Sequence, residues 1–512
     1  MKTRTAFRLT LAAVALAGCA VGPDYHPPKA RAPANWSEAE LGGTTNSAVQ
    51  IVEWWKTFND PEFNSLIARA VATNYDLRIA EGRLHEARAL RTGVASDLGP
   101  TINGGAGYTD TRQSKHSIPF KTSGPVGSQI SSNYLFQTDL YDAHFDASWE
   151  IDVFGGRRRA LQQANALVAS VEEDRRDVLV SVLAEVARNY IDVRDFQQRL
   201  AIANKNIAAQ QDAVDIARSR FHAGLASELD AKEAEVLLAT TQSQVPRLEE
   251  SLKQGVHRLG VLIGREPGAL LDELSVAAPV PTPPPEVPVG LPSDLLRRRP
   301  DIRRAERQLA AATANIGVQT AELFPKFSLT GVAGFQSFSA GDWFDGGSKY
   351  WSAGPTVTWR ILDLGHVRSQ IQTANAQAQQ SLAMYDKAVL TSLEDVENAL
   401  VAYSKEQVRH RSLQEAVDAS RGAVEISNEL YKNGLSNFLN VVDAERSLYQ
   451  AEDELVQSER TVTVNLVSLY KALGGGWQTP TGDARPISSA ASTNTDASPI
   501  AFGATSGRSA HE

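Results

Sequence analysis

Residues 149–264 reappear 210 positions later as 359–474, with no gap between the copies. Trp149 meets Trp359, Ile151 meets Ile361, and Gly155 meets Gly365. Ala164, Asn165 and Ala166 meet Ala374, Asn375 and Ala376. Gly224-Leu225 meets Gly434-Leu435, and Ala234-Glu235 meets Ala444-Glu445. The preceding stretch obeys a second shift, of 225: Asp76, Arg78, Ala80, Glu81 and Pro100 meet Asp301, Arg303, Ala305, Glu306 and Pro325. A duplicated unit restricts the fold before any motif is read. The two shifts differ by fifteen residues, so the first copy carries that many extra between Pro100 and Trp149.

Inside each copy runs a seven-residue apolar period. Leu179, Val186, Val193, Leu200, Ile207, Val214 and Phe221 follow it without a break. Their counterparts are Val389, Val396, Tyr403, His410, Val417, Val424 and Tyr431. The following segments give Ala231, Leu238, Val245, Leu252 and Leu259, and then Val441, Leu448, Leu455, Val462 and Leu469. A strict period of seven winds α-helices into a left-handed supercoil. Ala223-Gly224-Leu225 and Asn433-Gly434-Leu435 separate the segments, with glycine supplying a helix C-terminus. Each copy is therefore expected to hold a long antiparallel helical hairpin. A helix over 157–222 would span roughly 100 Å. A solvent-exposed coiled-coil stalk has the same periodicity.

Before each long helix the period changes to two. Phe145, Ala147, Trp149, Ile151 and Val153 alternate with Asp146, Ser148, Glu150 and Asp152. Trp351, Ala353, Val357, Trp359 and Ile361 alternate with Ser352, Gly354, Thr356, Thr358 and Arg360. These read as strands with one apolar and one polar face. Thr101–Thr109 and Phe327–Phe335 read as weaker, glycine-rich strands. About ten residues is the length of a tilted membrane-spanning strand. The helices spend their apolar stripes on one another, so none is free to cover such a sheet. Four strands are too few to form a barrel, and an open edge is not tolerated in lipid. Strands of this kind in a membrane require an oligomer that completes the barrel between chains.

The N-terminus has the form of a signal peptide: Lys2, Arg4 and Arg8 precede an apolar run from Leu9 to Ala17. The run ends in Leu16-Ala17-Gly18-Cys19, which resembles a bacterial lipobox, and Cys19 is the only cysteine. A lone cysteine makes no internal disulfide, and lipid attachment is its expected use. Ala20 follows it, where an aspartate would suggest inner-membrane retention. No other run of eighteen apolar residues marks a helical span. The net charge of −9 argues against a nucleic-acid partner. The basic run Arg297-Arg298-Arg299 before Pro300 reads as an acid-paired or solvated helix end. The nine histidines are scattered without metal-ligand spacing, so no enzyme activity, metal or cofactor is expected.

Several segments together carry a resemblance. Cys19-Ala-Val-Gly-Pro-Asp-Tyr25, Trp54-Trp55 before Phe58, the Gly-Leu hairpin tips and Leu473-Gly-Gly-Gly-Trp477 are part of it. Leu291-Pro-Ser-Asp-Leu-Leu-Arg-Arg-Arg-Pro-Asp301 is its most specific part. The chain resembles the outer membrane factors, the TolC- and OprM-like exit ducts of tripartite efflux pumps, in their NodT-type lipoprotein branch. The resemblance implies a mixed α and β fold with four transmembrane strands per chain. Three chains would complete a twelve-stranded β-barrel, continued into the periplasm by a long coiled-coil α-helical barrel. It implies a homotrimer in outer-membrane lipid, served by a periplasmic adaptor and an inner-membrane transporter.

The implied partition is a signal peptide (1–18), a lipid-anchored segment (19–56), a first repeat (57–274), a Pro-rich linker (275–292), a second repeat (293–473) and a low-complexity tail (474–512). The resemblance also places a pore constriction near the second hairpin tip. Asp443 matches one acidic position there, while Asn440 stands where some members are acidic. Asp230 is the first-repeat equivalent of Asn440. The tips, Gly224, Leu225, Gly434 and Leu435, are expected to dock the adaptor. Trp149, Ile151, Trp359 and Ile361 are expected to face lipid. The function so implied is passive conduction of drugs or other small solutes out of the cell. The alternative is protein export through a type I secretion system. A structural coiled-coil lipoprotein or a periplasmic adaptor would not need two hairpins and two membrane-like strand pairs.

Overall fold

The computed structural model describes residues 20–29, 32–37, 44–45, 52–112, 114, 137–284 and 287–478. Cys19, the signal peptide and the tail beyond residue 478 lie outside the described residues. The first repeat contains α1 (Pro61–Thr73), α2 (Tyr75–Ser96), β1 (Thr101–Arg112), β2 (Gln137–Ile151), α3 (Gly156–His222) and α4 (Glu228–Leu262). The second contains α5 (Pro300–Ala321), β3 (Lys326–Ser337), β4 (Lys349–Thr358), α6 (Leu364–Lys432) and α7 (Phe438–Ala472). The counterpart of α1 is reduced to one turn, Leu295–Arg298. Pro288 and Pro292 precede that turn, and proline ends a helix on its N-terminal side.

The long helices α3 and α6 have 67 and 69 residues, far more than the 35 of α4 and α7. A second helix fills the difference. The end of α4 abuts the start of α2: Asn74 Nδ2 donates to the Leu262 carbonyl at 2.8 Å, and Thr73 Oγ1 to Ile263 at 2.6 Å. Asn74 Oδ1 also accepts from the amides of Asp76 and Leu77, capping α2. The second repeat builds the same joint with a different residue. Arg299 donates to the Ala472 carbonyl at 3.1 Å and pairs with Asp301 and Asp395. Asn74 and Arg299 are related by the 225 shift, and Leu262 and Ala472 by the 210 shift. Each joint therefore brings together a residue of the 225 register and one of the 210 register. Arg299 also gives the basic run its acid-paired reading.

Helix α3 packs against α2 and α4 on one side and α5 and α7 on the other. Helix α6 packs against α5 and α7, with no comparable contact to α2 or α4 among the described residues. The layer thus runs α4/α2, α3, α7/α5, α6. Its core lies where α1 meets α3, with Phe63, Leu66, Ile67, Leu183, Tyr190 and Leu259 all fully buried. Each such side chain contributes about 1.5–3 kcal/mol on leaving water. Asp60 caps α1 through the Phe63 amide and accepts from the Tyr190 hydroxyl at 2.6 Å. Phe63 stacks on Tyr190 with centroids 5.3 Å apart. The segment Gly474–Trp477 belongs to this region and not to the tail. Gly476 has a positive φ and sits against Leu183 and Trp54, and Trp477 donates to the Arg298 carbonyl at 2.8 Å. The tail boundary therefore shifts from 474 to beyond Trp477.

Between α3 and α7 the seven-residue stripe gives way to charge. Arg199 pairs with Asp453 at 2.7 Å and Arg460 with Asp192 at 2.5 Å. Asp195 is buried among these groups, and its Oδ1 has no hydrogen-bond partner. Burial pushes its carboxyl up to about 7, while Arg199 and Arg460 pull it down and Asp192 and Asp453 push it up. A folded-state pKa above the unfolded value near ~3.9 means the folded protein binds this proton more tightly. The stability it adds is fully present below the unfolded value and is lost as pH rises through about 7. Apparent melting temperatures measured from pH 4.5 to 8 should fall across that window in the wild type. The decline should be smaller in Asp195→Asn. Parallel profiles for the two proteins would remove Asp195 as its source.

Candidate functional site

The four strands form one antiparallel sheet in the order β1-β2-β3-β4. Register decides what each face carries, because residues paired across an antiparallel sheet share a face. Phe145 pairs with Gly104 and Ala333, and Ala333 with Trp351. Tyr141 pairs with Tyr108, Trp149 with Leu329, Ile151 with Phe327, and Phe327 with Val357. One face is therefore apolar across all four strands. The other carries Asn103, Asp146, Ser148, Glu150, Ser328, Thr330 and Thr356. No helix packs across either face among the described residues, and Trp351 and Phe145 are 78% and 69% exposed. The edges β1 and β4 have no partner strand among the described residues.

Trp149 and Ile151 lie on the apolar face, as the alternation indicates. The strand expected to reach Ile361 ends at Thr358 instead, leaving Trp359 and Ile361 in the turn into α6. The reason is local. Lys326, the first residue of β3, pairs with Thr358, so later residues have no partner there. The two tryptophans still serve equivalent positions. Trp149 Nε1 donates to the Leu98 carbonyl at 2.9 Å, and Trp359 Nε1 to the Leu323 carbonyl at 3.1 Å. Leu98 and Leu323 follow α2 and α5 and are themselves related by the 225 shift. Each indole thus ties sheet to helix layer at the polar limit of the apolar face.

At the far end of the helices, Gly224 and Gly434 both have φ +72°. The amide of Leu225 donates to the Arg220 carbonyl at 2.8 Å, and that of Leu435 to Leu430 at 2.9 Å. This is the six-to-one bond of a left-handed glycine cap. Ser227 and Asn437 then start α4 and α7 by accepting from Leu229 and Asn440 amides. Arg220 donates to the Lys432 carbonyl at 3.3 Å and lies over the Tyr431 ring, so the two tips are clipped side by side. Leu225 and Leu435 remain 70% and 74% exposed.

The three expected constriction residues occupy separate settings. Asp443 borders a groove of about 920 Å³ between α4 and α7, and is paired with Arg446 at 2.8 Å. Asn440 Nδ2 donates to Ser436 Oγ within the tip loop at 2.8 Å. Asp230 does not border the groove. Its charge acts on the buried Tyr431 hydroxyl, whose pKa is raised by burial first and Asp230 second. The Arg199–Asp453 and Arg460–Asp192 pairs were not among the expected residues. Their sequence signal is broken repeat symmetry: under the 210 shift Asp192 faces Ala402, and Arg460 faces Glu250.

Comparison with known proteins gives this arrangement its class. The family described as outer membrane efflux protein matches residues 66–265 and 291–475. Nodulation protein T of Rhizobium leguminosarum bv. trifolii is 31% identical over 462 residues, covering 90% of this chain and 95% of that protein. The toluene efflux pump outer membrane protein TtgC of Pseudomonas putida is 31% identical over 94% of this chain and 98% of its own length. Among solved structures, the outer-membrane channel OprN superposes with a TM-score of 0.82 at 36% identity, covering 90% of this chain and all of that one. The open-state outer membrane channel MtrE of Neisseria gonorrhoeae gives a TM-score of 0.75 at 26% identity, covering 90% and 99%. The fold is that of an outer-membrane channel, mixed in α and β and rich in helix. The chain belongs to the outer membrane efflux protein family, in its NodT-type branch.

The tips generate a prediction. Leu225 and Leu435 touch no core, so Leu225→Asp with Leu435→Asp should change stability by less than about 0.5 kcal/mol each. Export should nevertheless be abolished, with the yield of assembled protein normal. Wild-type export from the double variant would refute a docking role for the tips.

Proposed function

We propose that three copies of this chain form the outer-membrane exit duct of a tripartite efflux pump. The observation that carries the reading is that sheet and helix layer are left open on matching sides. Strand β1 continues α2 at one side, and β4 leads into α6 at the other. The outer helices are bare there, with Ile79, Leu90 and Val236 exposed at one side and Met384, Leu390 and Ile426 at the other. Three-fold rotation pairs β4 with β1 and α6 with α4/α2, giving twelve strands and a twelve-column helical barrel. No strand edge is then left in lipid. The apolar face, with Trp149, Ile151, Trp359 and Ile361 at its rim, meets hydrocarbon. The polar face lines the lumen. Cys19 carries the lipid anchor.

The duct is passive. Solutes enter at the tips from an adaptor that binds Gly224-Leu225 and Gly434-Leu435, fed by an inner-membrane transporter. The relatives named as toluene and antibiotic efflux pump proteins favour drugs and other small solutes over secreted proteins as cargo. Near the tips, copies of Asp443 surround the axis at the constriction, with Asn440 beside the tip loop and Asp230 behind it. Carboxylates converging on a narrow mouth concentrate cations. Arg446 offsets part of that charge, so the preference is moderate.

Planar-bilayer recording tests this reading. Purified protein should conduct without nucleotide or any energy source, prefer cations, and be blocked by multivalent cations from the periplasmic side. Asp443→Ala should weaken selectivity and block, and Asp230→Ala should matter less. Absence of conductance from correctly inserted protein contradicts the duct. Identical selectivity and block in Asp443→Ala contradict the constriction.

A further inference from the structure

The first turn of α3 holds a buried arginine that the transport reading does not use. The Arg159 side chain is 5% exposed, yet no carboxylate of its own helix neutralises it. Its partners come from the N-terminal segment. Nε donates to the Val21 carbonyl at 3.0 Å, and the terminal nitrogens donate to Gly22 at 3.1 Å and Ala20 at 3.5 Å. Asp24 supplies the counter-charge at 2.9 Å, and Gln162 accepts at 2.9 Å. The Val21 amide donates in turn to the Phe154 carbonyl at 3.0 Å.

Glycines bring the backbones close enough for this. A Cβ on Gly155 would lie 2.5 Å from Ala20 Cα, and one on Gly22 would lie 2.5 Å from Gly317 Cα. One on Gly317 would meet the Arg159 side chain at 2.8 Å. Gly155 and Gly22 also have positive φ. The duplication provides an internal control. The second-repeat equivalent of Arg159 is Ser369, and Gly365, the equivalent of Gly155, has nothing within 4 Å of a would-be Cβ. The first-repeat equivalent of Gly317 is Thr92. Arg159 and the close-approach Gly155 come from the first copy and the close-approach Gly317 from the second, and the equivalent position of each in the other copy lacks the feature.

We propose that Arg159, Gly155 and Gly317 form an intramolecular cradle for residues 20–24, with Arg159 as the positioning residue that holds them at the joint between sheet and helices. A buried guanidinium left without its carbonyls and carboxylate is costly, so docking of the segment and closure of the joint stabilise each other. Beyond the cradle the segment stays attached along α5, with Tyr25 donating to Glu306 at 3.0 Å. Ala20 directly follows Cys19, so an acyl chain on Cys19 would leave the protein within one residue of this joint. The cradle thereby sets the depth of the proposed anchor relative to the sheet. That last step rests on the lipid-anchor reading above; the cradle itself does not.

Hydrogen exchange read by mass spectrometry on the full-length protein in detergent tests the cradle. Peptides covering residues 20–25 should be protected in the wild type. In Arg159→Ser, which installs the second-repeat residue, they should exchange at least about tenfold faster, the factor expected for losing hydrogen bonds to a charged donor. Gly22→Ala alters only the docked segment and leaves the rest of the joint intact. It should give the same loss of protection, and it decides the matter if Arg159→Ser does not assemble. Gly365→Ala should change nothing. Retained protection of residues 20–25 in an assembled Arg159→Ser or Gly22→Ala protein overturns the proposal. Labelling with a radioactive fatty acid reports the anchor separately: its absence in wild type would refute lipidation of Cys19 while the exchange data still judge the cradle.

Discussion

The helices of one chain pack on one another and none lies across the sheet, and the rest of the structure follows from that. Helix α3 is enclosed by the stacked pairs α4/α2 and α7/α5, and α6 lies against the second pair. Nothing is left to cover a sheet. The sheet therefore stands alone, with a continuous apolar face that a water-soluble domain of its size would bury. An outer-membrane channel is the setting in which such a face is stable without a covering layer.

The two joints between stacked helices show how a duplicated chain builds one column from separated segments. Asn74 in the first copy and Arg299 in the second occupy the same place and perform the same task, donating to the last carbonyls of the hairpin that follows in the same copy. The arginine adds ion pairs to Asp301 and Asp395 that the asparagine lacks. The copies also differ in charge where they touch each other. Asp192, Asp195, Asp453 and Arg460 have no charge-matched equivalents under the repeat, whereas Arg199 meets Arg409. Arg159 likewise has no arginine counterpart, since Ser369 stands at the equivalent position and the N-terminal segment docks only here.

Local periodicity made much of this legible in the sequence. The hairpins, their glycine tips and the alternating faces of Phe145–Ile151 follow from spacing alone. The first half of β2 did not, because Asp139 and Leu140 reverse the alternation; in the structure Asp139, on the apolar face, accepts from Tyr108. The alternation through Ile361 overran β4, since period two describes side chains and cannot say where a partner strand ends. Arg159 was illegible for another reason. Its partners are backbone carbonyls about 137–139 positions away, and no side-chain motif announces them. Asp230 and Asp443 were grouped by resemblance, and within one chain they serve different surroundings.

The account stands on three chains joining β4 to β1. Disulfide trapping measures that joint directly. One cysteine at Gly105 of β1 would be combined with single cysteines walked from Ser352 to Thr356 along β4. Paired strands bring Cα atoms to about 5 Å, within disulfide range. The account predicts that one register gives covalent species of two and three chains and nothing larger. No cross-link at any register, or a ladder continuing past three, would contradict it.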